Sequence, residues 1–206
     1  MIRNGGEGDI FNLFHSGSII TPEQQHLLHG LDPNMAPCGR VLQHGDVVIS
    51  ETHSKYGGYM TQVEIPVCIG EPPAAYRKLF DVAVECLHVA MEHLKPGVPI
   101  IEACLAEKKL MKKYGYQWLE LGFHGHGLGS PEMPAPIYMM GMETFRPNYQ
   151  SAEDTILQEN MVLATNIDIQ DPAFRYDVGI TYCNTLIVKP QPELLCNIPE
   201  TLPVKN

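Results

Sequence analysis

The spacing of apolar residues along the chain predicts two helices. Apolar residues recur every three or four positions over 80–94, which gives one broad buried stripe, and a pair of prolines at 72–73 opens this helix. Similar spacing recurs from about 99 to 114, and Gly115 follows as a C-terminal cap. We therefore expect two amphipathic helices that pack on the rest of the fold.

Alternation of apolar and polar residues predicts strands on both sides of these helices. A β-branched run over 47–51 and an alternating segment over 59–68 are separated by two glycines at 57–58, which is typical of a hairpin. Two further strands are expected over 161–169 and 179–188. Because strands, then helices, then strands follow without strict alternation, we expect an α+β fold.

The segment 122–148 is rich in Gly, Pro and Met. This composition predicts a loop-dominated segment that wraps the open side of the sheet. Long ordered loops of this kind often carry functional residues. The segment is therefore a place to search for site residues.

Length and charge narrow the class of protein. A chain of 206 residues with 44% hydrophobic content is sufficient for one core, so we expect a single domain over 1–206. The net charge of −10 argues against a nucleic-acid partner, because phosphate binding needs clustered Lys and Arg. No apolar run approaches the roughly 20 residues that cross a bilayer, and the six cysteines form no CxxC pair. We expect a soluble, cytoplasmic protein that binds neither nucleic acid nor membrane.

Five short motifs follow one another in a fixed order. They are LQHGD at 42–46, a Gly-Tyr turn at 58–59, KPG at 95–97, GHGLG at 125–129 and LQENMV at 157–162. In their order and spacing the chain resembles the pita-bread family, which includes methionine aminopeptidase, aminopeptidase P, prolidase and creatinase. The resemblance implies a curved, mostly antiparallel sheet with helices on its outer face. By length it reaches only the catalytic domain, without the family's opening helix and N-terminal domain, and whether the chain is part of a longer protein stays open.

Active members similar to this chain hold two divalent metal ions with two Asp, one His and two Glu. Transferred by motif, these positions fall on Glu51, Gln62, His126, Asn166 and Cys183. Neutral amides do not supply the charge that two cations need, so we expect a degenerate centre with no metal and no other cofactor. A displaced mononuclear site stays open, built from Glu51, His53, His126 and Asp168.

Creatinase is the family member that works without metal. Segment 61–64 reads TQVE and resembles the creatinase stretch in which a Glu binds the guanidinium group of the substrate. The resemblance implies that Glu64 and Gln62 face the pocket, where a carboxylate suits a cationic or amidine-like ligand. Creatine itself is not the expected substrate, because the second substrate-binding Glu falls on Asn166 and the catalytic His falls on Asn34.

Proton transfer in such a pocket needs a histidine whose pKa lies near the working pH. His126 and His124 lie in the glycine-rich loop, with Glu51 or Glu64 as the orienting partner. The alternative for His126 is an inherited residue that bonds a neighbouring carbonyl. Cys183 is a further catalytic candidate, as a thiolate with His126 as its base, and its alternative is inert packing in a strand.

These residues predict metal-independent hydrolysis or lysis of a C–N bond in a small polar or cationic substrate. His126 is the predicted general acid and base, and Glu51 and Cys183 are the other catalytic candidates. The predicted substrate-binding residues are Gln62, Glu64, His124, Asn166 and Glu132. Two alternatives stay open: a non-catalytic domain that binds a peptide or small ligand, and an Xaa-Pro peptidase with an altered metal site. We expect a small molecule or short peptide as substrate, and a homodimer.

Overall fold

A computed structural model describes residues 6, 12–21, 39–125, 137–140 and 155–206. The strands in these ranges are β1 (Asn12–Ser18), β2 (Asp46–Tyr56), β3 (Tyr59–Ile69), β4 (Gln117–Gly125), β5 (Ile137–Met140), β6 (Val162–Gln170), β7 (Gly179–Ile187), β8 (Glu193–Leu194) and β9 (Val204–Lys205). The helices are α1 (Ala74–Met91) and α2 (Ile100–Tyr114). All described strands join one sheet in the order β1-β2-β3-β7-β6-β4-β5, with β8 beside β7 and β9 beside β3.

The sheet is antiparallel except where β9 pairs with β3. The α+β class and the mostly antiparallel sheet predicted from the sequence are confirmed. No helix within the described ranges combines the length and the apolar character that crossing a bilayer requires.

The hairpin between β2 and β3 fixes which residues face each other across these two long strands. Gly57 and Gly58 both have positive φ, 56° and 83°, and Tyr56 pairs with Tyr59. A two-residue turn of this kind needs φ above zero at both positions and matches the twist of the strands, which explains the two glycines. Because the turn sets the register, Glu51 lies opposite Glu64.

Both helices begin where the sequence predicts, and α2 ends as predicted, whereas α1 ends at Met91, before the predicted end at residue 94. Pro73 and Pro99 precede α1 and α2 as their N-terminal flanking residues, and Gly115 ends α2 in the left-handed region at φ 73°. Both helices pack on the same part of the sheet, α1 against β6 and β7 and α2 against β4. The prediction that two helices pack on the sheet is therefore confirmed.

The main core lies between α1 and one face of β6 and β7. Phe80 of α1 meets Tyr182 of β7 edge to face, with ring centroids 5.4 Å apart, and Ile167 and Ile169 of β6 belong to the same buried cluster. Burying side chains of this size contributes about 1.5–3 kcal/mol each. Since strand residues alternate between faces, the residues between these core positions point to the opposite face, which we call the inner face.

The segment 122–148 is less irregular than expected. Residues as far as Gly125 continue β4, and β5 pairs antiparallel with β4. His124 is therefore a strand residue, and its predicted position in a loop is wrong. Glycines at 122 and 125 favour a loop, but the alternation of Leu121 and Phe123 with polar or small residues is typical of a strand.

Candidate active site

Polar residues occupy the inner face of the sheet in three rows that cross neighbouring strands. The middle row, which we call the site row, runs through paired residues on β2, β3, β7, β6 and β4. Its members are Glu51, Glu64, Cys183, Asn166 and Gly122. All the side chains of this row are buried, with exposed fractions of 7% or less. Four of the predicted site residues are thus brought side by side.

A second row, the histidine row, lies one pleat nearer the β2–β3 turn. It contains His53, Gln62, Thr185, Ala164 and His124. The Thr185 hydroxyl accepts the Gln62 backbone N–H at 2.8 Å and donates to the Gln62 carbonyl at 2.9 Å. This double contact connects β3 to β7 at Gln62, next to the site row.

A third row, the acid row, lies on the other side of the site row. Glu120 of β4 pairs with Asp168 of β6, which pairs with Thr181 of β7. A register shift between Trp118 and Glu120 places Glu120 opposite Asp168. All three row members are at least nine-tenths buried. Glu120 and Thr181 are not among the site residues predicted from the sequence. The alternation of residues 119–124 is a signal that could have identified Glu120, because it is typical of a strand with Glu120 and His124 on one face.

Hydrogen bonds connect the site row to the histidine row through one amide. The Nε2 of Gln62 donates to Oε1 of Glu64 at 2.9 Å and lies 3.5 Å from Oδ1 of Asn166. The Oε1 of the same amide lies 3.2 Å from Nε2 of His53. The same His53 nitrogen lies 3.6 Å from Oε1 of Glu51. Gln62 therefore contacts the other side chains through both ends of its amide.

Among the described residues, four carboxyl groups share the inner face, and no Lys or Arg stands in the three rows. Burial raises the pKa of Glu64 well above its ordinary value, and the charges of Glu51, Glu120 and Asp168 raise it further, against a smaller lowering by the hydrogen bond from Gln62. A carboxyl in this environment keeps its proton to higher pH than an exposed one. Positive charge brought by a ligand would favour its ionised form.

Cys183 lies between Glu64 and Asn166 in the site row and is fully buried. Burial raises the pKa of its thiol well above the ordinary value, and the charges of Glu64 and Glu51 add to the effect. The thiolate is the reactive form of cysteine, so this environment disfavours a nucleophilic role for Cys183. The thiol instead presents a small neutral surface in the middle of the row.

Three residues named from the sequence cannot be placed. His126, Glu132 and Asn34 lie outside the described residues. Of the other predicted catalytic and substrate-binding residues, Glu51, Gln62, Glu64, Asn166, Cys183 and His124 all lie on the inner face. Of the displaced metal site, the structure places Glu51, His53 and Asp168 on this face, and within the described ranges no three His, Cys, Asp or Glu residues form a group suited to holding a metal ion.

The family model described as Metallopeptidase family M24 matches residues 1–190 of the chain. The Xaa-Pro dipeptidase of Pyrococcus furiosus is 24% identical over 173 residues, 84% of this chain and 44% of that protein. The methionine aminopeptidase of Chlamydia pneumoniae is 33% identical over 122 residues, 56% of this chain and 40% of that protein. The crystal structure of X-Pro aminopeptidase from Thermotoga maritima matches with a TM-score of 0.72 at 22% identity, over 99% of this chain and 52% of that chain.

The chain therefore belongs to the metallopeptidase family M24. Its fold is the pita-bread fold that the five motifs predicted. The chain spans less than half the length of these two curated relatives.

Proposed function

We propose that this domain binds a small substrate that carries a cationic nitrogen group, and that it breaks a C–N bond in that substrate without a pair of divalent metal ions. The observation that supports this proposal is the hydrogen-bonded network that connects Gln62 of the histidine row to Glu64 and Asn166 of the site row. Gln62 contacts Glu64 and Asn166 through its amide nitrogen. The site row holds the carboxyl groups of Glu51 and Glu64. Two amides and a thiol stand at other positions to which the family resemblance transfers metal ligands.

The donor set does not fit two divalent cations. Of the five positions to which the family resemblance transfers the metal ligands, Gln62 and Asn166 offer neutral amides and Cys183 offers a thiol in place of a carboxylate. Two cations need several ionised oxygen ligands for neutralisation, and a metal-bound cysteine must be ionised. Of the four described ligand positions only Glu51 carries a carboxyl group, so no reaction step is assigned to a metal pair.

The charge of the inner face instead suits an organic cation. Glu51, Glu64, Glu120 and Asp168 are all buried, and burial first and then the charges of the other three raise the pKa of Glu64. A guanidinium, amidinium or ammonium group would relieve this repulsion and donate charge-assisted hydrogen bonds to several of these carboxylates. We assign Glu64 as the main contact of the cationic group, with Gln62 and Asn166 as polar neighbours.

In the proposed hydrolysis, the oxygen of a water molecule forms the new bond to carbon while the C–N bond breaks. A general base removes the proton from the water and returns it to the leaving nitrogen. We assign this role to His126, with Glu51 as the orienting partner and His124 as a substrate contact. Glu132 is assigned to the substrate side of the same pocket. In a lysis reaction the base would take its proton from the substrate carbon instead.

Two other functions make different predictions in the same experiment. A non-catalytic binding domain is favoured by the neutral thiol of Cys183 and by amides that already contact other side chains of the site. An Xaa-Pro peptidase with an altered metal site is suggested by the relatives named Xaa-Pro dipeptidase. Ligand binding without turnover would support the first, and metal-dependent cleavage of dipeptides would support the second.

The test is a screen of the chelator-treated protein against guanidines, amidines, N-methylated amino acids and Xaa-Pro dipeptides. Thermal shift reports binding and proton NMR reports turnover, each with EDTA and with added Mn²⁺. We expect a cationic compound to stabilise the fold and to be turned over equally in both conditions. Cleavage of Xaa-Pro dipeptides that requires Mn²⁺ would overturn the proposal, and binding without any turnover would reduce it to the non-catalytic domain.

A further inference from the structure

His53 is a fully buried histidine on β2 that has no role in the proposed reaction so far. It lies directly opposite Gln62 in the β2–β3 hairpin. Its Nε2 lies 3.2 Å from Oε1 of Gln62 and 3.6 Å from Oε1 of Glu51. In the observed orientation of the Gln62 amide both neighbours are acceptor oxygens, and this arrangement favours a proton on Nε2.

The orientation of the Gln62 amide decides what the site offers to a ligand. An amide can turn by half a rotation, which exchanges its oxygen and its NH₂ group, and its partners decide between the two orientations. The backbone of Gln62 is held on both sides by the Thr185 hydroxyl, at 2.8 Å and 2.9 Å. The contacts with Thr185 therefore hold the backbone of Gln62 but do not determine the orientation of its side-chain amide.

In the observed orientation the NH₂ group points to two oxygens. It donates to Oε1 of Glu64 at 2.9 Å and lies 3.5 Å from Oδ1 of Asn166. In the reversed orientation the Gln62 oxygen would face the Glu64 carboxylate, and two acceptors would repel each other once Glu64 ionises. An ionised Glu64 is the form that binds a cation, so only the observed orientation supports the site.

We propose that His53 is a positioning residue, whose Nε2–H holds the Gln62 carbonyl and thereby turns the Gln62 NH₂ group towards Glu64 and Asn166. This inference rests on the proposed function for its consequence, because the orientation matters when Glu64 binds a cationic group. The hydrogen-bond chain from His53 through Gln62 to Glu64 then keeps one Glu64 oxygen occupied. We assign the other oxygen to the ligand.

Two substitutions separate the donated hydrogen bond from the bulk of the side chain. His53→Gln places an amide NH₂ near the position of Nε2 and keeps a donor, whereas His53→Met fills similar space without one. His88→Met serves as the control, because His88 is a half-exposed residue on α1 whose Nε2 lies 3.0 Å from Oε1 of Glu200.

The experiment combines NMR of the ring with calorimetry of a probe. Long-range ¹H–¹⁵N spectra identify which ring nitrogen of His53 carries the proton, and calorimetric titration with methylguanidine in EDTA measures binding. We expect the Nε2–H tautomer in the wild type. We also expect methylguanidine binding that is about 3- to 10-fold weaker in His53→Met, the loss of one hydrogen bond, and close to wild type in His53→Gln and His88→Met.

An unprotonated Nε2 of His53 in the wild type would overturn the inference. So would methylguanidine binding that is as tight in His53→Met as in His53→Gln. If the wild type binds no methylguanidine, the cationic substrate class fails instead. The tautomer, together with the position of the Gln62 side-chain NH₂ resonances in His53→Met and His53→Gln, then still decides the role of His53. The wild-type spectrum decides it even if His53→Met does not fold.

Discussion

Replacing Glu64 by Gln should stabilise the fold and abolish ligand binding at the same time. Glu64 is 3% exposed and its carboxyl lies among three others, so its pKa is raised by burial first and then by Glu51, Glu120 and Asp168. Gln has nearly the same shape and cannot ionise. The substitution therefore removes the unfavourable charge together with the contact that we assign to the cationic group.

The size of the effect follows from linkage between protonation and folding. An acid whose pKa is higher in the folded state than in the unfolded chain stabilises the fold fully at low pH. Its contribution falls as the pH rises above the ordinary value, 4.5, towards the folded value. Over that window the loss is about 1.4 kcal/mol per pH unit. Glu64→Gln should make the decline of stability with rising pH shallower by up to that amount.

Glu107 on α2 provides a matched control. It is also fully buried, burial raises its pKa well above the ordinary value, and neither carboxyl oxygen has a hydrogen-bond partner among the described residues. It lies outside the three rows, so Glu107→Gln should produce the same change in pH dependence. Binding of methylguanidine should be unaffected.

The assay is urea unfolding between pH 6 and pH 9, followed by the fluorescence of Trp118, the one tryptophan in the chain. Urea is preferable to guanidinium chloride because guanidinium is itself a candidate ligand. Both variants should show a shallower pH dependence than the wild type, and only Glu64→Gln should lose methylguanidine binding in calorimetry. An unchanged slope in Glu64→Gln would refute the electrostatic reasoning, and equal loss of binding in Glu107→Gln would refute the location of the site.

Two further predictions concern the fold around the site. Asp46→Asn should destabilise the protein by about 1–2 kcal/mol, because the half-exposed Arg40 donates two hydrogen bonds to Asp46, at 2.7 Å and 2.8 Å, and lowers its pKa. This contribution is present above the ordinary pKa and is lost as the pH falls through the folded value, so the two proteins should converge in acid unfolding curves; a constant difference would contradict it. Phe80→Ala should cost about 3–5 kcal/mol in urea unfolding, since Phe80 is fully buried against Tyr182, whereas the exposed Tyr176→Ala should stay within about 0.5 kcal/mol. Equal effects of the last two would contradict the placement of the core.

The local parts of the fold were predictable from the sequence because short-range chemistry determines them. The two glycines at 57–58 and the alternation of 59–68 fix the β2–β3 hairpin, and therefore the pairing of Glu51 with Glu64. The prolines and Gly115 likewise mark the ends of the two helices. These features depend on residues a few positions apart, which a single sequence displays directly.

The arrangement of the site across the sheet was less accessible. The pairing of Glu64 with Cys183 joins residues far apart in the chain, and no local pattern specifies it. The motif resemblance predicted that Glu64 and Cys183 belong to one site. It did not include Glu120, because a register shift in β4 places this residue in the acid row. The contact between His53 and Gln62 follows from the hairpin register. The position of the Gln62 side chain, however, also depends on Asn166 and Thr185 from two other strands.

The central claim, a site without a metal pair, is tested most directly by calorimetric titration of the chelator-treated chain with Mn²⁺. A triple variant with Gln62→Asp, Asn166→Glu and Cys183→Glu restores carboxylates at the positions that hold metal in the active relatives, with Glu51 unchanged, and its melting temperature reports whether it folds. We predict that the wild type takes up no pair of Mn²⁺ ions and that the folded triple variant does. Two Mn²⁺ ions bound per wild-type chain, with micromolar or tighter affinity, would contradict the account.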